Sequence, residues 1–299
     1  MSGTKIRHSA TDKVFLFFVY TFLAIILVVM TYPLLLVLSN SFSAPAAVTA
    51  GKVWLYPVQP SLDGYVAVFK NAQIMTGYAN SLFYMLAGTA INMVVTIICA
   101  YPLSVGSLPG RRVILALFTF TMFFSGGLIP KYILIKDLGL IDSRWALLIP
   151  GAMSVWNMLV MRTYFRTSIP GEMREAALID GCDEFRYLGR ILLPLSGPIL
   201  AVIALFYAVG HWNAYFNALI FLKSKELYPL QLVLRDILIL NNVSMDMLAN
   251  NPEQFQLRLQ LIDVLKYSSI VVASAPLIII YPFVQRFFVK GIMIGSLKG

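Results

Sequence analysis

Along this chain, unbroken apolar runs alternate with short charged punctuation. Six runs hold no Asp, Glu, Lys or Arg for at least about 17 residues, the working minimum for a helix that crosses a bilayer. They cover positions 14–51, 71–110, 113–130, 145–161, 191–222 and 267–285. The first run contains one apolar core before the polar "SNSFSAP", and the second becomes strongly apolar only near Ser81, so neither divides into two spans. The pattern predicts an all-α membrane protein with six transmembrane helices, at about 14–38, 81–105, 113–133, 145–165, 195–221 and 267–287. They form a single transmembrane domain over 14–299 behind a short N-tail, 1–13. The basic start resembles a targeting segment, but the apolar stretch behind it is too long for a signal-peptide core and no small-residue cleavage site follows, so it is expected to be retained.

Composition agrees with lipid as the solvent: 59% of the residues are hydrophobic and 12% charged, about half the charge of a soluble domain. Lys and Arg near span ends set orientation. With the N-terminus inside, the inner segments hold Lys5, Arg7 and Lys13, then Arg111 and Arg112, then Arg162, Arg166, Arg174, Arg186 and Arg190, then Arg286, Lys290 and Lys298. The outer segments are longer and carry most of the acidic residues, so basic density is higher inside and both termini are expected in the cytoplasm. A net charge of +9 could suggest nucleic acid, but these charges flank spans and form no basic stripe interleaved with aromatics. Cys99 and Cys182 fall toward the cytoplasmic side, where a structural disulfide is not expected, and no metal-ligand spacing is present.

Enzymatic readings find little to build on. The two histidines are His8 and His211, and the sequence has no HExxH pair, GxSxG elbow or phosphate-binding loop. An "LSG" at Leu195, Ser196 and Gly197 matches part of an ATP-cassette signature, but Pro198 follows and the segment enters a span.

The most polar long passage is "EAALIDGCDEFRYLGRILLPL", from Glu175 to Leu195. Upstream, Ser168 is a candidate N-cap, Pro170 suits a first turn, Glu172 and Glu175 are acidic and early, and Gly181 stands where a helix should stop. A helix of two to three turns follows. It would carry Met173, Ala176, Ala177 and Asp180 on one nearly flat face suited to close docking. A second short helix is expected from Asp183, with Phe185, Leu188 and Leu192 on one side, before Pro194. An amphipathic loop lying on lipid headgroups explains the same pattern.

Glu175, Ala176, Ala177, Gly181, Ile191, Leu193 and Pro194 match, without a departure, the EAA pattern EAA-x3-G-x9-I-x-L-P of ABC importer permeases. The resemblance extends along almost the whole chain: "GGLIPKYILIKDLGLIDSRWALLIPGAMSVWNMLVMRTYF", "HWNAYFNALIFL", "LYPLQLVLRDIL" and "YPFVQRFFVKGIMIGSLKG" look like the carbohydrate branch. Within it they resemble MalG-type second subunits, and among these the YtcP/LplC-like permeases of polysaccharide oligomers. The resemblance implies a type I ABC importer permease (MetI-like) fold in a bacterial cell membrane. It implies a cytoplasmic coupling loop, 166–194, that docks in a groove of a separate ATPase through Glu175, Ala176, Ala177, Asp180, Gly181, Ile191, Leu193 and Pro194. It also implies a homologous second permease, two ATPase subunits that hold the ATP and Mg2+, and an extracellular or periplasmic solute-binding protein. This chain would itself hold no cofactor. Alternating access for an oligosaccharide is the implied function. A permease of the same superfamily for an amino acid or phosphonate is the alternative, and an intramembrane enzyme or scaffold a remote one.

Polar groups inside spans are costly and usually face a cavity or a helix partner. For the translocation path the candidates are Asn92, Ser154 and Asn157, and then Gly210, Asn213 and Asn217, which share one face of span five by i, i+3, i+7 spacing. Trp212 and Tyr215 flank that face with rings suited to the apolar faces of a sugar. Interfacial aromatic belts and helix packing account for the same residue types. "SGG" at Ser125–Gly127 with Pro130 is expected to end and bend span three, and Pro276 and Pro282 to allow a kink in span six. The external segment 223–266 contains "LQLVLRDILIL", apolar enough for the outer interface.

Overall fold

The computed structural model describes residues 9–239 and 252–296. The start of the N-tail with Lys5, Arg7 and His8, residues 240–251 and the last three positions with Lys298 lie outside the described residues. The chain divides into two compact units, Met1–Lys70 with Asn242–Val272 and Asn71–Asn241 with Ala273–Gly299.

In the first unit, α1 (Ala10–Ser41) opens where the Ser9 N–H donates to Asp12 Oδ2 at 3.0 Å, satisfying one orphan donor of the first turn. Large apolar side chains from Phe15 to Leu35 are exposed all round it, as expected of a helix whose solvent is hydrocarbon. Two short helices follow, α2 (Pro45–Thr49) and α3 (Asp63–Lys70). Ala47, Val48 and Val53 pack with Val264 into a small core.

In the second unit, the spine is α4 (Ala72–Ser104). Asn71 caps it, its Oδ1 accepting from the N–H groups of Gln73 and Ile74. Its buried stripe runs through Gly77, Ser81, Tyr84, Gly88, Asn92, Thr96, Ala100 and Leu103, a period of three to four with many small residues that lets other helices approach. Next come α5 (Arg111–Phe123) and α6 (Leu128–Asp137), bent by 111° across the "FSGG" break. The segment expected as span four is not one helix. It is a single turn, α7 (Trp145–Leu148), then an irregular stretch containing Pro150 and Gly151, then α8 (Val155–Thr167). Pro150 has no amide to donate, and an apolar run records composition without recording such a break.

The loop 166–194 contributes α9 (Gly171–Ile179), α10 (Glu184–Tyr187), a π-helical turn at Leu188–Leu192 and the single turn α11 (Leu193–Leu195). An 84° bend leads into α12 (Gly197–Trp212). Span five is also interrupted: the helix stops at Trp212 and restarts as α13 (Phe216–Phe221). After it comes α14 (Leu230–Ile239), and the long α15 (Pro252–Ser296) continues as one helix through Pro276 and Pro282. Among the described residues three helices are long and apolar enough to cross a membrane, or up to five spans if each bent pair counts as one. Around α4 pack α8, α12 and α14.

Candidate functional site

Both interruptions in the broken spans open onto one cavity of about 340 Å3. Gly151 and Ser154 come to it from the break before α8, and Ala214 from the break after α12. Irregular backbone at membrane depth is tolerated only where protein buries it or where it lines a cavity. Asn92, on the buried stripe of α4, holds the two together. Its Nδ2 donates to the carbonyl of Gly151 at 2.6 Å, and its Oδ1 faces His211 Nε2 at 2.6 Å. Because a carbonyl can only accept, the Asn92 amide nitrogen must face Gly151. Its oxygen therefore faces the imidazole, which makes Nε2 the protonated nitrogen of the ring.

Tyr207 makes a second bridge. Its hydroxyl lies 2.7 Å from Thr96 Oγ1 on α4 and accepts the Ser154 N–H at 3.0 Å. Accepting from Ser154 leaves its own proton for Thr96. The rest of the wall is mixed: Tyr84 and Phe206 offer ring faces, and Asn157 and Asn217 offer amides. No Asp, Glu, Lys or Arg is among its lining residues. Rings beside uncharged hydrogen-bonding groups suit a molecule with both C–H faces and hydroxyls.

Of the residues singled out from sequence, Asn92, Ser154, Asn157, Gly210 and Asn217 meet at this cavity. Trp212, Asn213 and Tyr215 do not line it. Trp212 is 1% exposed, donates its Nε1–H to the carbonyl of Ala273 at 3.0 Å and meets the edge of Tyr78. Asn213 turns back to the carbonyl of Val209, and Tyr215 is exposed. The shared face of Gly210, Asn213 and Asn217 required a continuous helix, and the break after Trp212 destroys that phase. His211 and Tyr207 are among the wall residues that were not candidates from the sequence, with Tyr84 and Phe206. The signal for His211 was available: an ionisable side chain inside a span is a functional candidate by default.

On the loop, Gly181 ends α9 in the left-handed region, at φ +77°. Its N–H bonds the carbonyl of Leu178 and the N–H of Cys182 reaches that of Ala177 at 2.9 Å, the paired bonds of a Schellman stop. Asp183 then caps α10 by accepting from the Arg186 N–H at 2.8 Å. Three expectations need correction. Ser168 is not the cap of α9; it closes α8, and Pro170 occupies the capping position without a side-chain bond. Ala177 does not face outward; it packs with Phe165, Ile169, Tyr187 and Leu192 in the core of its own unit. Phe185 and Leu192 do not share a side, being 87% and 3% exposed, because the π-helical turn shifts the phase between them. The outward surface of α9 carries Glu172, Glu175, Ala176, Ile179 and Asp180, with Gly181 after it. Of the remaining candidates, Ile191 and Leu193 are half-buried and Pro194 is exposed.

No family model matches the chain. Protein LplC of Bacillus subtilis strain 168 is 39% identical over 267 residues, covering 89% of each chain. The polygalacturonan/rhamnogalacturonan transport system permease protein YtcP of the same organism is 37% identical over 292 residues, covering 96% of this chain and 99% of its own. A crystal structure of a bacterial ABC transporter involved in the import of the acidic polysaccharide alginate contains a chain that superposes with a TM-score of 0.86 at 34% identity. That match covers 95% of this chain and 100% of the other.

Proposed function

The chain belongs to the sugar-type permease subunits of ABC importers, and from that premise we propose that the cavity around Asn92 is its share of an oligosaccharide path. As a multi-pass membrane permease it is not an enzyme. In this reading a homologous second permease completes the path, two copies of a separate ATPase dock on the loop 166–194, and a solute-binding protein delivers cargo from outside. Both termini and the loop lie in the cytoplasm, as the basic bias of the inner segments requires. Closure of the ATPase dimer moves the loop and shifts the spans between inward-open and outward-open arrangements.

The observation that carries the reading is that two spans interrupt their helices at the same place and wall it with amides, hydroxyls and rings. Such a wall suits the C–H faces and hydroxyls of a saccharide. The test is ATP hydrolysis by the reconstituted complex with its binding protein. Oligosaccharides, neutral or uronate-rich, should stimulate it, and Asn157→Ala should weaken that stimulation. Stimulation by an amino acid or a phosphonate, with every saccharide inert, would reject the cargo assignment.

A further inference from the structure

The loop must pass its movement to the cavity through this chain's own side chains. Apolar contacts hold the two together, but they are non-directional and allow surfaces to slide. Directional contacts fix a register. Among the described residues, the side-chain hydrogen bond that ties the loop to α4 is accepted by one carboxylate, that of Glu184.

Glu184 is the first residue of α10. From α9, on the other side of the Gly181 turn, Arg174 donates through Nε to Glu184 Oε2 at 3.3 Å and through Nη2 to Oε1. From α4, the Tyr101 hydroxyl donates to the same Oε2. A guanidinium that engages both oxygens of a carboxylate fixes angle as well as distance. The Tyr101 ring is buried, with the ring of Tyr187 at 6.2 Å, so the hydroxyl cannot follow the loop without its helix.

Nine residues before Tyr101 on the same helix is Asn92, about 13–14 Å away along the axis. Between them, Thr96 meets Tyr207, which holds Ser154. One continuous helix thus joins the Glu184 cluster to both side-chain bridges that hold the broken spans around the cavity. We infer that Arg174, Glu184 and Tyr101 form a strut that converts movement of the docked loop into displacement of α4, and through Asn92 and Thr96 into a change in the cavity wall. The three are positioning residues: they touch neither cargo nor nucleotide. The inference rests on the loop being the ATPase contact.

The test uses the complete importer in proteoliposomes and needs no knowledge of the cargo. Ala214→Cys, with Cys99 and Cys182 changed to Ser, places a reporter thiol at the cavity, and its maleimide labelling rate is measured with and without ATP plus vanadate. Tyr101→Phe and Glu184→Gln should each retain the ATPase at the wild-type ratio on purification, yet reduce the ATP-dependent change in labelling rate roughly fivefold or more, within the usual range of coupling between sites. Arg174→Glu should do the same, and the exchanged pair Arg174→Glu with Glu184→Arg should recover most of the change. A role confined to stability would not give recovery by exchange together with normal assembly. An unchanged labelling response in Tyr101→Phe and Glu184→Gln overturns the strut, as does loss of the ATPase from both, which would make the cluster part of the docking surface. A wild-type complex that shows no ATP-dependent change would reject the coupling reading itself, and the strut with it.

Discussion

Replacing Gly88 by alanine should destabilise the protein, although alanine is the better helix former. Gly88 lies within α4, one turn before Asn92. A Cβ added there would stand 2.4 Å from His211 Nε2, 2.5 Å from Cε1 and 2.7 Å from Cδ2. Non-bonded heavy atoms settle at about 3.5–4.0 Å, so the imidazole must retreat by about 1 Å. It is not a free tip, since its Nε2 is bound to Asn92 and Asn92 is bound to Gly151. Overpacking of this kind costs about 1–3 kcal/mol, and loss of the His211–Asn92 bond about 0.5–1.5 kcal/mol. The gain from Gly to Ala in a helix interior offsets about 1 kcal/mol. The balance is a net loss of about 1–3 kcal/mol, with the sign opposite to propensity. Membrane complexes commonly unfold irreversibly, so the assay is the fraction of monodisperse purified complex left after graded heating, for wild type, Gly88→Ala, His211→Ala and the double variant. Once the ring is removed, the new methyl finds space, and Gly88→Ala should be neutral or stabilising in the His211→Ala background. If Gly88→Ala is as stable as wild type, or costs the same in both backgrounds, the reasoning fails.

Other predictions concern the loop, the Asp142 carboxylate and topology. A Cβ at Gly181 meets no atom within 4 Å, but Gly181→Val must hold φ +77°, at a cost of roughly 1–2 kcal/mol. With Glu175→Lys and Ala176→Trp, it should leave the chain inserted and paired with its sister permease while reducing ATPase co-purification and abolishing transport. Full recovery and normal transport in all three would make the loop a mere connector. Asp142 Oδ1 accepts from the N–H groups of Lys223 and Ser224, and its Oδ2 from the Ser224 hydroxyl. These bonds, that of the Ser224 side chain first, hold its carboxyl below the usual carboxylate range. A depressed folded pKa gives stability that is complete above the unfolded value and is lost as pH falls through the folded one. Hydrogen exchange at the Lys223 and Ser224 amides should therefore stay protected at neutral pH and open only in acid, and Asp142→Ala should open it at neutral pH. Equal protection in Asp142→Ala and wild type at neutral pH would refute that staple. Single cysteines at Ser2, Asp183 and Lys298 should resist an impermeant thiol reagent in intact cells and react after permeabilisation; ready labelling of Asp183→Cys in intact cells would reverse the orientation.

What could be read from sequence divides along physical lines. Charge-free length located the apolar segments because desolvating a charge is costly wherever it falls in a span. It could not see that the fourth and fifth segments are interrupted, since the breaks at 149–154 and 213–215 depend on which backbone groups find partners, and the partner of Gly151 is Asn92, 59 positions away. Local signals served the loop well where the physics is local: Gly181 as a stop, Asp183 as a start. They did less well for Phe185 and Leu192, whose faces were assigned with a period of 3.6 across a turn that does not keep it. Asn92, Ser154 and Asn157 were legible as polar residues within apolar runs. His211 carries the same signal, a polar ring within an apolar run.

The hydrogen bonds of the cavity wall bear on how long anything could stay there. Asn92 spends its amide on Gly151 and His211, and Tyr207 spends its hydroxyl on Thr96 and Ser154. A sugar entering this proposed path would find ring faces to slide along and the amides of Asn157 and Asn217 to bond, so the wall offers passage with light retention. Permeation needs binding strong enough to admit and weak enough to release, and a surface that satisfies itself in advance favours release.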